Sequence, residues 1–118
     1  PNIILDGAHN VAGAEAVASY VRSNIPKEKA VLLIGILSSK DVAGIARTLA
    51  PYFREIISTN APSDKAASPK DIAAAARSFC SNVEIIEDIP TALSTLSKRL
   101  GKDDSLVIAG SLTVVGEA

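Results

Sequence analysis

The sequence has a single cysteine and very few aromatic residues, and both shortages limit what the chain can be. Because Cys80 is the only cysteine, an internal disulfide framework and a multi-cysteine metal site are excluded, which fits a reducing compartment. Aromatic residues make up 3% of the 118 residues, although 47% are hydrophobic. The core must therefore be built from Ala, Val, Ile and Leu, which suits parallel strands covered by close-packed helices.

The chain also lacks a basic block and a long hydrophobic run. Its formal net charge is −1, and no basic segment is interleaved with aromatic residues. We therefore expect neither nucleic acid nor an anionic membrane surface as a partner. The longest apolar run is about seven residues, far short of the roughly 20 that a membrane span requires. These features predict a cytoplasmic protein with no membrane segment.

The length and the first residue predict one domain of a longer polypeptide. A chain of 118 residues is the usual size of one domain and is long enough to bury a core. It begins with Pro1 rather than methionine, and no signal peptide precedes the first predicted strand. We therefore expect residues 1–118 to be a domain excised from a longer chain. A small processed or tagged protein is the alternative.

Apolar segments alternate with segments of helical periodicity, and this alternation predicts the fold. Residues 30–36 are nearly all apolar, as expected for a strand that is buried on both faces. The predicted strands are residues 2–5, 30–36, 55–59, 83–86 and 106–109. Helices are predicted after the first four strands, and the apolar stripe of one of them is Ile72, Ala75, Ala76 and Phe79.

Capping residues mark the predicted helix ends. Asp41 and Ser68 are good N-cap residues, and Gly101 is placed to cap the end of the last helix. After Gly110, residues 112–115 can form a sixth strand, and so short a gap permits only an antiparallel hairpin. The predicted fold is therefore α/β: a Rossmann-like three-layer sandwich whose mostly parallel, six-stranded sheet has five parallel strands, an antiparallel last strand and helices on both faces.

The first strand ends in a cluster of polar residues, in the sequence IILDGAHN at residues 3–10. In an open α/β sheet, ligands bind where a strand ends and the next helix begins. Asp6 could accept hydrogen bonds from two ribose hydroxyls, or it could only form the turn. His9 could contact a phosphate or a nucleobase, or it could be a surface residue, and Asn10 is first of all a helix N-cap.

Two further strand ends carry polar residues. Lys40 and Asp41 follow the second strand, and we expect them beside the first turn. Lys40 could bind a carboxylate or phosphate, or it could simply pair with Asp41. Ser111 follows the fifth strand. The sequence contains neither a GxxxxGK[ST] loop nor a GxGxxG motif, so this chain does not hold a nucleotide by a standard phosphate-binding loop.

Three segments in the right order resemble one family: LDGAHN at residues 5–10, GILSSKD at 35–41 and AGSLTVVGE at 109–117. They resemble the C-terminal domain of folylpolyglutamate synthase/dihydrofolate synthase, a member of the Mur ligase superfamily. Cell-wall Mur ligases usually carry a tyrosine in the first motif, so Gly7 favours the folate branch. Two departures are Val11, where the family commonly has proline, and Lys65 in a loop that commonly carries a Pro-Arg pair.

The resemblance implies an ATP-dependent ligase that adds L-glutamate to folate or dihydropteroate through an acyl phosphate. An N-terminal ATPase domain would carry the phosphate-binding loop and hold most of the Mg²⁺ ligands, and this domain would close over ATP. Asp6, His9 and Asn10 would bind ATP. Lys40, Asp41 and Ser111 would line the cleft that glutamate enters. No residue of this domain is expected to be catalytic or to bind metal, so the isolated domain should be inactive.

Two other hypotheses remain open at this point. The chain could be the corresponding domain of a cell-wall Mur ligase, which full-length assays with UDP-linked acceptors would distinguish. It could also be a stand-alone Rossmann-like nucleotide-binding module. Such a module would bind ATP on its own, whereas half a site should bind it weakly.

Overall fold

The computed structural model describes residues 1–113, which form one five-stranded parallel sheet between layers of helices. The strand order across the sheet is β1-β5-β2-β3-β4, and every pair of neighbours is parallel. The predicted three-layer α/β architecture is thus confirmed for these residues. The strands are β1 (Asn2–Asp6), β2 (Ala30–Gly35), β3 (Glu55–Ser58), β4 (Val83–Ile85) and β5 (Ser105–Gly110).

Four helices connect the strands, and each begins at a polar residue whose side chain accepts a backbone N–H of the first turn. These N-cap residues are Asn10, Asp41, Ser68 and Asp88. The helices are α1 (Val11–Asn24), α2 (Val42–Leu49), α3 (Pro69–Ala76) and α4 (Ile89–Arg99). Short 3₁₀ turns occupy Lys27–Lys29, Ala50–Tyr52 and Ser111–Thr113.

The two faces of the sheet carry separate cores. Helices α1, α2 and α3 pack on one face, over alternate residues of the central strands such as Leu32, Ile56 and Val107. Helix α4 packs on the other face, over Leu33 and Ile108. All residues of β2 and β5 are buried, because these strands have neighbours on both sides and helices on both faces. The carboxyl ends of these two strands therefore lie inside the sheet and not at its sides.

Three sequence-based predictions about local structure are wrong. Phe79 is 52% exposed because α3 ends at Ala76, so the helical stripe does not continue to it. Gly101 does not adopt the left-handed conformation; α4 ends at an extended Leu100, and the Gly101 N–H donates to the Asp104 carboxylate at 2.7 Å.

The predicted sixth strand over residues 112–115 is also not found in the described part of the chain. Leu112 and Thr113 lie in a 3₁₀ turn that begins at Ser111. Gly110 has a φ of +84°, so the chain turns sharply where β5 ends and passes directly into this 3₁₀ turn. The remaining two residues of that prediction lie outside the described residues.

Candidate functional site at the carboxyl edge of the sheet

The predicted site residues all lie along the carboxyl edge of the sheet. Lys40 and Asp41, however, are not next to the turn that carries Asp6 and His9, as the sequence had predicted. Asp6 is in register with Ala109, and Gly35 is in register with Gly110. The expectation that the loop after β2 lies beside the first turn is therefore wrong, because β5 lies between them. Neighbouring strands are about 4.8 Å apart, which places the two loops roughly 10 Å apart. Ser111, directly after β5, stands between them.

The turn after β1 presents two polar side chains to solvent above a fixed backbone. Asp6 and His9 are exposed, while Ala8 between them is buried at 2% exposure. The Asn10 carboxamide oxygen accepts the Gly13 N–H at 2.7 Å, which confirms Asn10 as the N-cap of α1. A Cβ on Gly13 would lie 3.4 Å from the Cα of Ala8, so this glycine lets the turn pack closely on the helix. The cap and this close packing therefore position the backbone from which Asp6 and His9 extend into solvent.

The loop after β2 contains a structural aspartate and a free lysine. The Asp41 carboxylate accepts the Gly44 N–H at 3.0 Å and caps α2. A Cβ on Gly44 would collide with this carboxylate in its present position, so any other residue there would make the Asp41 side chain shift. Lys40 is exposed and forms no ion pair within residues 1–113, so the predicted alternative of a pair with Asp41 is not seen.

The loop after β3 is attached to the loop after β2, which the sequence did not predict. Leu37 and Ala66 form an antiparallel bridge, and the Ser38 N–H donates to the Lys65 carbonyl at 2.8 Å. This pairing places Lys65 opposite Ser38. The chain then turns, and the Lys40 N–H donates to the Leu37 carbonyl at 3.1 Å. The exposed lysines 40 and 65 thus belong to one double loop at the carboxyl ends of β2 and β3. The sequence signal was the polar run at 60–67, but periodicity does not reveal loop pairing.

Ser111 lies at the centre of the edge with a buried side chain. It is 2% exposed, and its hydroxyl has no hydrogen-bond partner within residues 1–113. Leaving a buried hydroxyl without a partner costs roughly 1–3 kcal/mol. Its position depends on Gly110, where a Cβ would collide with the Gly35 carbonyl oxygen.

A groove extends the edge beyond the predicted residues. It has a volume of about 460 Å³ and lies at the carboxyl ends of β3 and β4, between Asn60 and Pro90. Its wall includes Asp88, whose pKa is lowered by hydrogen bonds from the Thr91 hydroxyl and backbone N–H. The Thr59 hydroxyl donates to the Glu87 carbonyl at 3.0 Å and joins the two loops that form the groove. Sequence reasoning missed this groove because its walls come from two distant segments.

A second groove lies on the outer side of β1, next to Asp6. It has a volume of about 280 Å³ and is lined by apolar side chains of α1 and β1, including Ile4, Val17 and Tyr20. A third groove, of about 400 Å³, lies between α1 and α2 and contains Arg22 and Arg47. Both arginines are in the last turns of their helices, far from the carboxyl edge, where they complement the helix dipoles.

Residues 1–113 contain neither a metal-binding cluster nor a membrane-spanning helix. The described residues contain no group of three or more His, Cys, Asp or Glu side chains that could hold a metal ion. No helix among them is long and apolar enough to cross a membrane. Cys80 is buried, at 6% exposure, and its thiol donates to the Phe53 carbonyl oxygen at 3.5 Å.

These observations define a class: an open parallel α/β domain with polar residues collected at the carboxyl ends of β1, β5 and β2, and no phosphate-binding loop. Comparison with known families gives the more specific assignment. The model of the Mur ligase, glutamate ligase domain family matches residues 1–112, so the chain belongs to this family.

Individual relatives are similar over most of the chain. The dihydrofolate synthase/folylpolyglutamate synthase of Mycobacterium tuberculosis is 34% identical over 76 residues, which is 64% of this chain and 16% of that protein. The solved folylpolyglutamate synthase of Thermotoga maritima is 34% identical, with a TM-score of 0.78 over 97% of this chain and 26% of that one. The chain therefore spans about a quarter of that relative.

A third relative was solved with a nucleotide. The folylpolyglutamate synthase of Mycobacterium tuberculosis, complexed with ADP, is 28% identical, with a TM-score of 0.77 over 96% of this chain and 28% of that one. The family resemblance predicted from the three sequence motifs is thus confirmed. The roles of individual site residues stay predictions.

Proposed function

We propose that this chain is the C-terminal domain of an ATP-dependent ligase that adds L-glutamate to folate or dihydropteroate. The observation that carries the proposal is the 34% identity to the Thermotoga folylpolyglutamate synthase over 97% of the chain. The relative complexed with ADP supports a nucleotide as the ligand. The LDGAHN turn, with Gly7 where cell-wall ligases carry tyrosine, supports the folate branch.

The proposed reaction forms an amide in two steps. A carboxylate oxygen of the acceptor attacks the γ-phosphorus of ATP, which gives an acyl phosphate and ADP. The amine of glutamate then attacks the acyl carbon, inorganic phosphate leaves with the C–O bond electrons, and the amine loses a proton. Both steps depend mainly on positioning and on stabilising negative charge. The role proposed for this domain is to close over ATP and to place glutamate.

The turn after β1 fits a nucleotide. An ionised carboxylate accepts two hydrogen bonds at once, so Asp6, exposed at the end of β1, suits the adjacent hydroxyls of a ribose. His9 is exposed three residues later and can reach a phosphate or the base of the same ligand. Asn10 contributes by capping α1, which fixes the turn.

The double loop fits the entry of an acidic amino acid. Lys40 is an exposed cation without an ion pair in the described chain. Lys65 lies on the loop after β3, which is hydrogen-bonded to the loop that carries Lys40. Two exposed lysines on one double loop would favour a dicarboxylate over a neutral amino acid. Asp41, by contrast, acts through the cap of α2, and its proposed contribution is to hold the lysine loop in place.

Mg²⁺ would be held mainly by an N-terminal ATPase domain. The described residues offer single carboxylates along the edge rather than a cluster, so they fit a ribose or an amino acid better than a metal ion. The chemistry supplied by the bound metal would be positive charge that offsets the negative charge on the ATP phosphates. In this chain, Asp6 would contact the ribose of the same nucleotide, and His9 would contact its base or a phosphate.

The test is a ligase assay on the complete polypeptide that contains this chain. ATP, Mg²⁺, glutamate and either dihydropteroate or a folate should give ADP, phosphate and a product one glutamate heavier. Residues 1–118 alone should give no turnover above background under the same conditions. Turnover by residues 1–118, or a complete polypeptide that uses only UDP-linked acceptors, would contradict the proposal.

A further inference from the structure

The groove between α1 and α2 collects charged side chains of both signs. It has a volume of about 400 Å³, and its wall contains Arg22 from the last turn of α1, Arg47 from the last turn of α2, and Glu15 from earlier in α1. All three side chains are exposed. Two guanidiniums and one carboxylate give the wall a net charge of +1, whereas the whole chain has a net charge of −1.

These three charged groups do not neutralise one another. Neither Glu15 nor the two arginines form an ion pair within residues 1–113. Glu15 and Arg22 are seven residues apart, which puts them on the same side of α1 but two turns and roughly 10 Å apart. That separation is too large for the pairing that residues three or four apart make on a helix. Both signs of charge therefore stay available to a ligand in the groove.

Hydroxyl groups and apolar surface complete the wall between the charges. Ser19 and Tyr52 line the groove, and their hydroxyls have no hydrogen-bond partner in the described part of the chain. The Thr48 hydroxyl already donates to a carbonyl of α2 at 2.7 Å, so it can only accept from a ligand. Pro51 adds apolar surface beside them. The groove thus offers several polar contacts as well as charge.

The helix dipoles explain only part of this arrangement. A cation is favoured in the last turn of any helix, which accounts for the position of each arginine along its own helix. The dipoles do not require both side chains to line one groove. Arginine is also the residue type that binds a carboxylate with two parallel hydrogen bonds.

We infer that this groove binds free L-glutamate at a second site, separate from the carboxyl edge. Arg22 and Arg47 would each bind one carboxylate of the ligand, and Glu15 would accept hydrogen bonds from its ammonium group. The ligand has a net charge of −1, which complements the +1 of the wall. A neutral amino acid would leave one arginine without a carboxylate, and phosphate would be repelled by Glu15. The inference rests on the proposed function only for the choice of glutamate over aspartate.

The two helices connect this groove to the candidate site. α1 begins at Asn10, in the turn that carries Asp6, and α2 begins at Asp41, directly after Lys40. A glutamate held by Arg22 and Arg47 would join the far ends of these two helices. The second site would therefore hold the turn and the loop of the candidate site in a fixed relation without occupying either of them.

A glutamate titration of the complete polypeptide, followed by amide NMR without ATP or acceptor, tests the inference. The Ser19 and Thr48 amides should shift along a saturable curve with a dissociation constant on the order of millimolar, since exposed ion pairs are weak and are screened by salt. Replacing both arginines (Arg22→Gln with Arg47→Gln) should raise this constant roughly tenfold or more. Lys98→Gln is the matched control, because it removes an exposed cation from the last turn of α4, and it should leave the constant unchanged.

The carboxylate of Glu15 gives a second test with the opposite sign for two ligands. Glutarate has the same two carboxylates as glutamate but no amine. Glu15→Gln should weaken glutamate binding roughly threefold, because the ammonium loses its partner, and should strengthen glutarate binding by a similar factor, because a repulsion is removed. A groove that binds any anion would instead bind both ligands more tightly in this variant.

Three results would overturn the inference. The Ser19 and Thr48 amides could stay unshifted at glutamate concentrations that saturate shifts at Ser38, so that glutamate binds only at the carboxyl edge. Inorganic phosphate could shift them at the same concentrations as glutamate, or Glu15→Gln could strengthen the binding of both ligands, and either result would indicate a general anion site. The titration needs no turnover. Saturable shifts in a polypeptide without ligase activity would contradict the proposed function alone, and an active ligase without these shifts would contradict this inference alone.

Discussion

Asp6 is the residue on which the proposed nucleotide site most depends. Its carboxylate is exposed at the end of β1, with no side-chain hydrogen bond within residues 1–113 that a substitution would break. In the complete ligase, Asp6→Asn should raise KM for ATP roughly 10- to 100-fold, as expected when a hydrogen bond to a charged acceptor worth about 1.5–3 kcal/mol is lost. KM for glutamate should change little. The measurement is steady-state kinetics with each substrate varied in turn.

The matched control is Asp103→Asn, which removes the same charge from an exposed turn before β5, at the amino edge of the sheet. It should leave both KM values unchanged. An equal effect of the two substitutions would mean that Asp6 acts through net charge and does not contact the nucleotide.

Gly110 is the residue on which the geometry of the central edge depends. Its φ of +84° is costly for any other residue, and a Cβ there would collide with the Gly35 carbonyl oxygen. Gly110→Ala should therefore destabilise the domain by at least about 1–2 kcal/mol, measured by urea unfolding. Gly101→Ala is the control, because its Cβ would meet only an ordinary contact at 3.5 Å and its φ is not positive. Similar losses for both variants would contradict this account.

At the scale of helices and strands, local signals predicted most of the structure. The N-caps Asn10, Asp41 and Ser68 are where their side chains predicted them, since capping depends on residues three positions apart. The strand order could not be predicted in this way. Placing β5 between β1 and β2 depends on contacts between segments about 75 to 100 residues apart, and no periodicity records them.

The same limit applies to the candidate site. Its residues were found because strand ends and cap positions are local features. Which of these residues lie next to each other was predicted wrongly, because β5 separates the two loops that were expected side by side. The contact between Ser38 and Lys65 was missed for the same reason, since the residues it joins are separated by a whole strand and helix.

The cap of α1 gives a prediction at this scale. Asn10→Ala removes the oxygen that accepts the Gly13 N–H, which should cost about 1 kcal/mol and lower the Tm of the domain by about 4 °C. Asn10→Asp keeps an acceptor in the same place and should retain most of the stability. Thermal unfolding followed by circular dichroism measures both. If Asn10→Ala unfolds at the wild-type temperature, the cap does not stabilise the turn that presents Asp6.

At the scale of the whole molecule, one ion pair joins segments that meet only after folding. The Arg54 guanidinium, just before β3, donates to both oxygens of the Asp104 carboxylate, just before β5, at 2.8 and 3.2 Å. The same guanidinium donates to the Glu28 carbonyl at 2.7 Å. The segments that lead into β2, β3 and β5 are thus joined at the amino edge of the sheet, on the side opposite the candidate site. Arg99 forms a similar link with Glu55 and Glu84.

This arrangement predicts how the stability of the domain responds to acid. Hydrogen bonds from Arg54, and then one from the Gly101 N–H, lower the pKa of Asp104 from 3.8 to about 2. A lowered pKa contributes stability that is fully present above the ordinary value and is lost as the pH falls through the folded value. The contribution of Asp104 should therefore be constant from neutral pH down to about pH 4 and should disappear towards pH 2.

Asp104→Asn should be less stable than the wild type at neutral pH, and the difference in the free energy of unfolding should close between pH 4 and pH 2. Urea unfolding at each pH measures this difference, with Asp103→Asn as the neighbouring control that should track the wild type. A difference that stays constant down to pH 2 would show that Asp104 stabilises the fold through neutral hydrogen bonds and not through its charge.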